Sequence, residues 1–92
     1  MAEAPKQTQK ETALDLVKRG LIETMGMRQE EADELPIDAV LDDRIGMDEL
    51  DKVEFQMWIE EETGYSVELS DEEAELAKTV GDWVKLIEAK RK

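Results

Sequence analysis

The chain has 92 residues, with 25 Asp or Glu against 12 Lys or Arg, and a formal net charge of −13. Such a surface repels nucleic acid and anionic membranes and favours basic patches on other proteins. Cys is absent, which excludes disulfides and a thiol nucleophile. His is also absent, which removes the commonest general base and the commonest transition-metal ligand. We therefore do not expect an enzyme.

The length predicts a single domain over residues 1–92, with residues 1–7 as a small, polar, frayed tail. No apolar run reaches the length of a membrane span, and the first residues lack the apolar region of a secretory signal. We therefore expect a cytoplasmic monomer.

The first helix is predicted over about residues 8–25. Thr8 and Glu11 fit a Thr-x-x-Glu capping box, and Gly26 is typical of a helix end. The apolar residues between them recur at helical spacing: Leu14, Val17, Leu21 and Met25.

Residues 27–47 predict a long ordered loop, because Pro36 and Gly46 interrupt a stretch of scattered apolar residues. A loop of this length inside a small domain is usually functional or partly helical. A short turn near 38–41 is expected within it. The apolar side chains expected to hold the loop are Leu35, Ile37, Val40, Leu41 and Ile45.

The second helix is predicted over 49–63. Asp48 is a good N-cap, Asp51 suits the positive end of the helix, and Thr63 with Gly64 ends it. The following "YSVELS" alternates briefly but has no partner strand, and it predicts a loop.

Two further helices complete the predicted fold. Ser70 and Glu73 form a capping box for a short helix over about 71–77, and Thr79 caps the last helix with Asp82 in its first turn. An amphipathic stripe marks the last helix: Val80, Trp83, Val84 and Ile87. The expected fold class is an all-α domain of four helices, with a long loop after the first and a short third helix.

Two apolar stripes run along the second helix. At 100° per residue, Leu50 and Met57 fall on one side, and Phe55 and Ile59 fall roughly opposite. Two acids lie beside the first stripe: Glu54 and Glu61. The helix could be buried on both sides, or the acid-flanked stripe could be exposed for a partner with basic residues around an apolar patch. Because unpaired buried carboxylates are unfavourable, the acids favour exposure.

Clusters of carboxylates could indicate a calcium site or glycosidase chemistry. An EF-hand loop needs Gly at its sixth position, and taking Gly46 as that residue puts Leu41 where an acid is required. A small helical domain offers little room for a sugar cleft. We interpret the clusters as solvated acidic surface, with no metal site and no catalytic residue.

Several stretches, in order, resemble the acyl carrier protein family. "GMDELDKVEFQMWIEEETG" resembles the second-helix signature Gly-x-Asp-Ser-Leu-Asp-x-Val-Glu with its following acids. "SDEEAELAKTVGDWVKLIEAK" resembles the third and fourth helices, and "GMRQEE" resembles the turn after the first. The resemblance covers about residues 8–90, with a few extra residues between Gly26 and Gly46 and near 65–69. It implies a four-helix bundle of acyl-carrier-protein type.

Members of that family carry acyl groups on a 4′-phosphopantetheine arm, in fatty acid or polyketide-type biosynthesis, and attach the arm to the motif serine. Here the position of that serine is Glu49, between Asp48 and Leu50. A carboxylate side chain cannot form the same phosphodiester, and neither Ser66 nor Ser70 lies at that helix start. The expectation is therefore that this chain has no cofactor.

The resemblance also implies partners, namely the basic patches of carrier-dependent synthases or of a phosphopantetheinyl transferase. By resemblance, Phe55 and Ile59 would face the core or an acyl pocket. The residues implied for docking are Asp48, Leu50, Asp51, Glu54, Met57, Glu60 and Glu61.

Three interpretations of Glu49 are open at this level. The chain could be an engineered carrier protein locked without its arm. It could be a natural, arm-less module for docking, decoy or regulation through the acidic second helix. Or the resemblance could be limited to the fold, with the helices serving an unrelated interaction.

Overall fold

A computed structural model describes residues 11–91. Within that range the chain is all-α and contains no strand, only an isolated antiparallel bridge between Val40 and Thr79. The all-α prediction is thus confirmed. The helices are α1 (Ala13–Met25), α2 (Gln29–Glu34), α3 (Leu41–Ile45), α4 (Glu49–Glu62), α5 (Asp71–Leu76) and α6 (Val80–Lys90).

Helix α1 begins later than predicted. Thr12 is its N-cap, and the Thr12 Oγ1 accepts the Asp15 N–H at 3.0 Å. The prediction of a helix start at residue 8 is therefore wrong for Glu11 and Thr12, and Thr8 lies outside the described residues. The later cap prevails because Thr12 satisfies a free N–H of the first turn. The predicted end is confirmed, since Gly26 adopts a left-handed φ of 72°.

The predicted long loop over 27–47 is partly helical, because it contains the two short helices α2 and α3. Helix α2 is favoured by Glu31, whose Oε1 accepts the Arg28 N–H at 3.0 Å, and Gly46 ends α3 with a φ of 70°. Of the expected apolar anchors, Leu41 is fully buried and Leu35 and Ile45 are partly buried. Ile37 and Val40 are exposed. The Ile37 carbonyl accepts the Gly81 N–H, whereas at Val40 the bonds to the start of α6 are made by the neighbouring Ala39 and Leu41.

Backbone hydrogen bonds tie this connection to the start of α6. The Leu41 N–H donates to the Lys78 carbonyl at 2.9 Å, the Val80 N–H donates to the Ala39 carbonyl at 3.2 Å, and the Gly81 N–H donates to Ile37 at 2.8 Å. This tie fixes the two ends of the segment that carries α4 and α5.

The three predicted caps of the later helices are confirmed. The Asp48, Ser70 and Thr79 side chains accept the N–H of the third following residue in α4, α5 and α6. The segment 65–70 is a loop, as expected, and it buries Val67 and Leu69.

The core forms where α4 and α6 pack against α1. Phe55 and Trp83 are both fully buried, with ring centroids 4.8 Å apart and ring planes at 81°, an edge-to-face pair. Ile59 lies in the same core. One side of α4 therefore packs in the core, and its opposite side is exposed to solvent.

Arg19 joins α1 to the end of α4. Its guanidinium makes two hydrogen bonds to the Glu11 carboxylate at 2.9 Å and one to Glu62 at 3.0 Å, and it lies 5.0 Å from the Trp58 ring centroid. The hydrogen bonds from Arg19 hold the pKa of Glu11 below its usual value, although partial burial acts against them. The Arg91 guanidinium also donates to the Glu11 carbonyl at 2.7 Å.

None of the helices within residues 11–91 combines the length and the apolar character needed to cross a lipid bilayer.

Candidate functional site: an exposed acidic face of α4

Helix α4 begins with a reciprocal cap. The Asp51 N–H donates to Asp48 Oδ1 at 2.9 Å, and the Asp48 N–H donates to Asp51 Oδ2 at 3.2 Å. Both carboxylates are therefore engaged at the helix start. Glu49 is the first residue of α4 and is exposed to solvent.

Three apolar side chains of α4 are exposed next to one another. Leu50 is 66 %, Val53 47 % and Met57 51 % accessible, whereas Phe55 and Ile59 are fully buried. The exposed interpretation of the first stripe is confirmed, and burial of the helix on both sides is excluded. At 100° per residue, Val53 lies on the same side as Leu50 and Met57.

Acidic side chains flank these apolar residues. Glu49, Glu54 and Glu61 are all exposed, and their helical positions lie on both sides of the apolar stripe. We call this surface the α4 face, and it consists of Leu50, Val53 and Met57 with Glu49, Glu54 and Glu61. A patch of this kind suits a partner whose apolar contact is surrounded by cations.

Three of the residues expected at the docking surface make hydrogen bonds within the fold: Asp48, Asp51 and Glu60. The Glu60 carboxylate accepts the Leu69 N–H at 3.0 Å, and its carbonyl accepts the Tyr65 N–H at 2.8 Å. Asp51 is half-buried and held in the cap. The expected surface is therefore divided, with Leu50, Glu54, Met57 and Glu61 together on the α4 face and Glu60 turned towards the 65–70 loop.

A cleft of about 250 Å³ opens between α4 and α5 beside Glu49. Lys52 and Gln56 line it, along with Asp71 and Ala74. Lys52 is almost buried, with its Nζ 3.6 Å from Asp42 Oδ1, and Gln56 Nε2 donates to the Leu69 carbonyl at 2.8 Å.

Lys52, Val53 and Gln56 were not selected from the sequence. Lys52 and Gln56 are the only polar residues of α4 that are not acidic, and they lie four residues apart on one side of the helix. In a helix whose other polar residues are acidic, this pair indicates a side of α4 that faces another element of the fold. Val53, three residues after Leu50, could have been found from the same helical spacing.

The residues at the start of α4 do not fit covalent attachment of a phosphopantetheine arm. Attachment requires a hydroxyl, and the exposed side chain at the corresponding position is the carboxylate of Glu49. Within the described range 11–91, no cluster of three or more His, Cys, Asp or Glu side chains is arranged to hold a metal ion.

No protein-family model matches the sequence. The resemblance to acyl carrier proteins therefore rests on the sequence motifs quoted above.

Proposed function

We propose that this protein is an arm-less, acyl-carrier-like interaction module, not an enzyme, that docks onto partner proteins through the α4 face. The observation that carries the proposal is the exposure of Leu50, Val53 and Met57 on a helix whose opposite side is buried in the core. Exposed apolar side chains at this spacing are typical of a helix that lies in a partner's groove.

The apolar and acidic residues of the α4 face would contribute differently to binding. Burying a side chain the size of Leu50 or Met57 stabilises a complex by about 1.5–3 kcal/mol. The entropy lost when the two proteins and their side chains are ordered on binding reduces this value. Charges at the margin, such as Glu54 and Glu61, act mainly on the association rate and on the salt dependence. The favoured partner is therefore an apolar groove bordered by Lys or Arg.

The quoted motifs extend the proposal to a four-helix bundle of acyl-carrier-protein type. In that arrangement α1, α4, α5 and α6 correspond to the four family helices, and α2 and α3 fall within the long first loop. The partner class proposed on this basis is a carrier-dependent synthase or a phosphopantetheinyl transferase. Phe55 and Ile59 are then core residues, because both are fully buried and Phe55 packs on Trp83.

The test is binding of a purified carrier-dependent synthase to the wild type, Leu50→Ser, Met57→Ser and the matched control Leu76→Ser. Leu76 is also an exposed Leu, but it lies in α5, outside the α4 face. We expect the α4 variants to bind about tenfold more weakly and the control to bind as the wild type does. Wild-type affinity in both α4 variants, with unchanged melting temperatures, would refute docking through this face.

A second candidate function is that of a carrier scaffold that lacks only its attachment residue. It is favoured by the intact cap at Asp48 and the exposed position of Glu49. With a phosphopantetheinyl transferase and coenzyme A, intact mass should increase for Glu49→Ser and remain constant for the wild type. A serine variant that gains no mass would leave only the interaction module.

A further inference from the structure

Methionine is the only residue type in this chain that contains sulfur, because Cys is absent. The thioether of methionine is therefore the group that a peroxide oxidises most readily here. Within residues 11–91, Met47 is 2 % accessible, and Met25 and Met27 are partly buried against the core. Met57 is 51 % accessible. Exposure thus distinguishes one thioether in the described part of the chain.

Met57 lies within the α4 face, in line with its other apolar side chains. Leu50 and Val53 precede it by seven and four residues, which are two turns and one turn of the helix. Oxidation to the sulfoxide converts the apolar thioether into a polar group. In an apolar groove the added oxygen would lose its hydrogen bonds to water without gaining a donor. Oxidation of Met57 therefore opposes docking at the position where the apolar contact is made.

Two exposed carboxylates restrict which oxidants reach this sulfur. Glu54 lies three residues before Met57 and Glu61 lies four residues after it, so each is one turn away on the same side of the helix. In a chain with a net charge of −13, their negative potential repels an anionic oxidant and leaves a neutral one unaffected. The oxidant class that fits the site is therefore an uncharged hydroperoxide.

We propose that Met57 is an oxidation site, and that its conversion to the sulfoxide by hydrogen peroxide releases the partner of the α4 face. The sulfur lone pair attacks one peroxide oxygen, the O–O bond breaks, and the departing hydroxide takes up the proton of the transferred oxygen and leaves as water. The thioether loses two electrons and gains one oxygen. A methionine sulfoxide reductase reverses the step at the expense of a dithiol, which becomes a disulfide, with release of water. The effect on docking rests on the proposed function, whereas the selectivity for Met57 does not.

The first test is time-resolved oxidation of the full-length protein by hydrogen peroxide, followed by tryptic digestion and mass spectrometry. Trypsin places Met57 in a peptide that contains no other methionine, residues 53–78. We expect this peptide to gain one oxygen before the other methionine peptides of the described range, and fragmentation should place the oxygen on Met57 and not on Trp58. In urea the unfolded chain is the control, and its methionines should react at similar rates. Equal or faster oxidation of a buried or partly buried methionine in the folded protein would overturn the proposal.

The second test compares hydrogen peroxide with peroxymonosulfate, which is an anion. A double variant, Glu54→Gln with Glu61→Gln, should react at Met57 about twofold faster than the wild type with the anionic oxidant, and at the wild-type rate with hydrogen peroxide. Added salt should accelerate the anionic reaction of the wild type in the same way. Identical behaviour of the two oxidants would show that the carboxylates select no oxidant.

The third test measures binding to a purified carrier-dependent synthase before and after peroxide treatment. The oxidised protein should bind about tenfold more weakly, and methionine sulfoxide reductase with dithiothreitol should restore the affinity. Met57→Leu keeps an apolar side chain without sulfur, so its binding should be insensitive to peroxide. Met27→Leu is the matched control and should remain as sensitive as the wild type.

The outcomes of the binding test are distinct for the two proposals. Wild-type affinity in the oxidised protein, or peroxide sensitivity that persists in Met57→Leu, would overturn the role of Met57 in releasing the partner. Failure of the unoxidised wild type to bind counts against the proposed function, and the peptide mapping then still decides whether Met57 is the oxidation site.

Discussion

A β-carbon built on Gly20 of α1 would stand 2.5 Å from Cε1 of Phe55 in α4 and 3.0 Å from the Trp58 ring. The backbone of one helix thus lies against the aromatic side chains of the other. A glycine inside a helix normally lowers its stability, but here it permits the close approach on which the core depends.

Gly20→Ala should therefore destabilise the protein, although alanine is the better helix former. The gain in helix propensity is about 1 kcal/mol, and overpacking against rigid rings costs about 1–3 kcal/mol, so we expect a net loss of up to about 2 kcal/mol. Urea denaturation measures the difference. Phe55→Leu in the same background should recover part of the loss in a double-mutant cycle. A more stable Gly20→Ala would show that the helices separate easily.

Arg19→Lys should lower the free energy of unfolding by about 1 kcal/mol. Lysine keeps the charge but cannot reproduce the paired hydrogen bonds to Glu11 together with the bond to Glu62 and the contact with Trp58. Because these side chains are partly exposed, the difference should shrink at high salt. Arg44→Lys is the control and should be neutral. An Arg19→Lys variant with the same free energy of unfolding as the wild type would mean that the positive charge suffices and that the hydrogen-bond geometry of Arg19 adds nothing.

Asp82→Asn should change the acid stability of the protein. The N–H groups of Lys78, then Thr79, hold the pKa of Asp82 below its usual value. A lowered folded-state pKa stabilises the fold above the unfolded-state pKa of about 3.9, and this contribution is lost as pH falls through the folded-state pKa. The stability gap between wild type and Asp82→Asn should therefore be full at pH 7 and shrink below about pH 4.

Exposed Asp38 makes no side-chain hydrogen bond or ion pair within residues 11–91, and Asp38→Asn is the control. Its difference from the wild type should be small at every pH. A gap for Asp82→Asn that stays constant down to pH 2 would contradict the role assigned to the Asp82 charge.

Glu49→Gln and Asp48→Ala separate the charge at the start of α4 from its cap. Asp48 accepts a hydrogen bond from the Asp51 N–H, and its loss should destabilise the protein by about 1 kcal/mol. Within residues 11–91 Glu49 makes no hydrogen bond or ion pair through its side chain, and it lies at the positive end of the helix. That position is worth about 0.3–1 kcal/mol, which is offset by the repulsion that its removal relieves in so acidic a chain.

Glu49→Gln should accordingly melt close to the wild type, yet bind a basic partner more weakly. Thermal melting and a binding titration on the same samples make the comparison. If Glu49→Gln changed neither the melting temperature nor the affinity for the basic partner, Glu49 would not belong to the α4 face.

Features that depend on residues three or four apart were predictable from the sequence. The caps at Asp48, Ser70 and Thr79 are local hydrogen bonds, and the structure contains each of them. The opposite exposure of Leu50 and Phe55 follows from helical geometry in the same way. The all-α class is the sum of such local signals.

Features that depend on distant contacts were not predictable. Helices α2 and α3 have six and five residues, too short for periodicity to reveal, and burial of Ala32 and Leu41 accompanies them. In the sequence Glu60 is one of several acids on α4, and only the fold brings the Leu69 N–H to its carboxylate. Exposure of Leu76 likewise depends on where α5 lies relative to α6.

The hydrogen bonds between residues 37–41 and 78–81 have a consequence for the order of folding. They join two points separated by the whole of α4 and α5, so the chain must close a long loop before they can form. The contact between Gly20 of α1 and Phe55 of α4 closes a loop of similar length. The amides of Leu41, Val80 and Gly81 should therefore gain protection from hydrogen exchange with the packing of the core, and later than amides whose hydrogen bonds lie within a single helix.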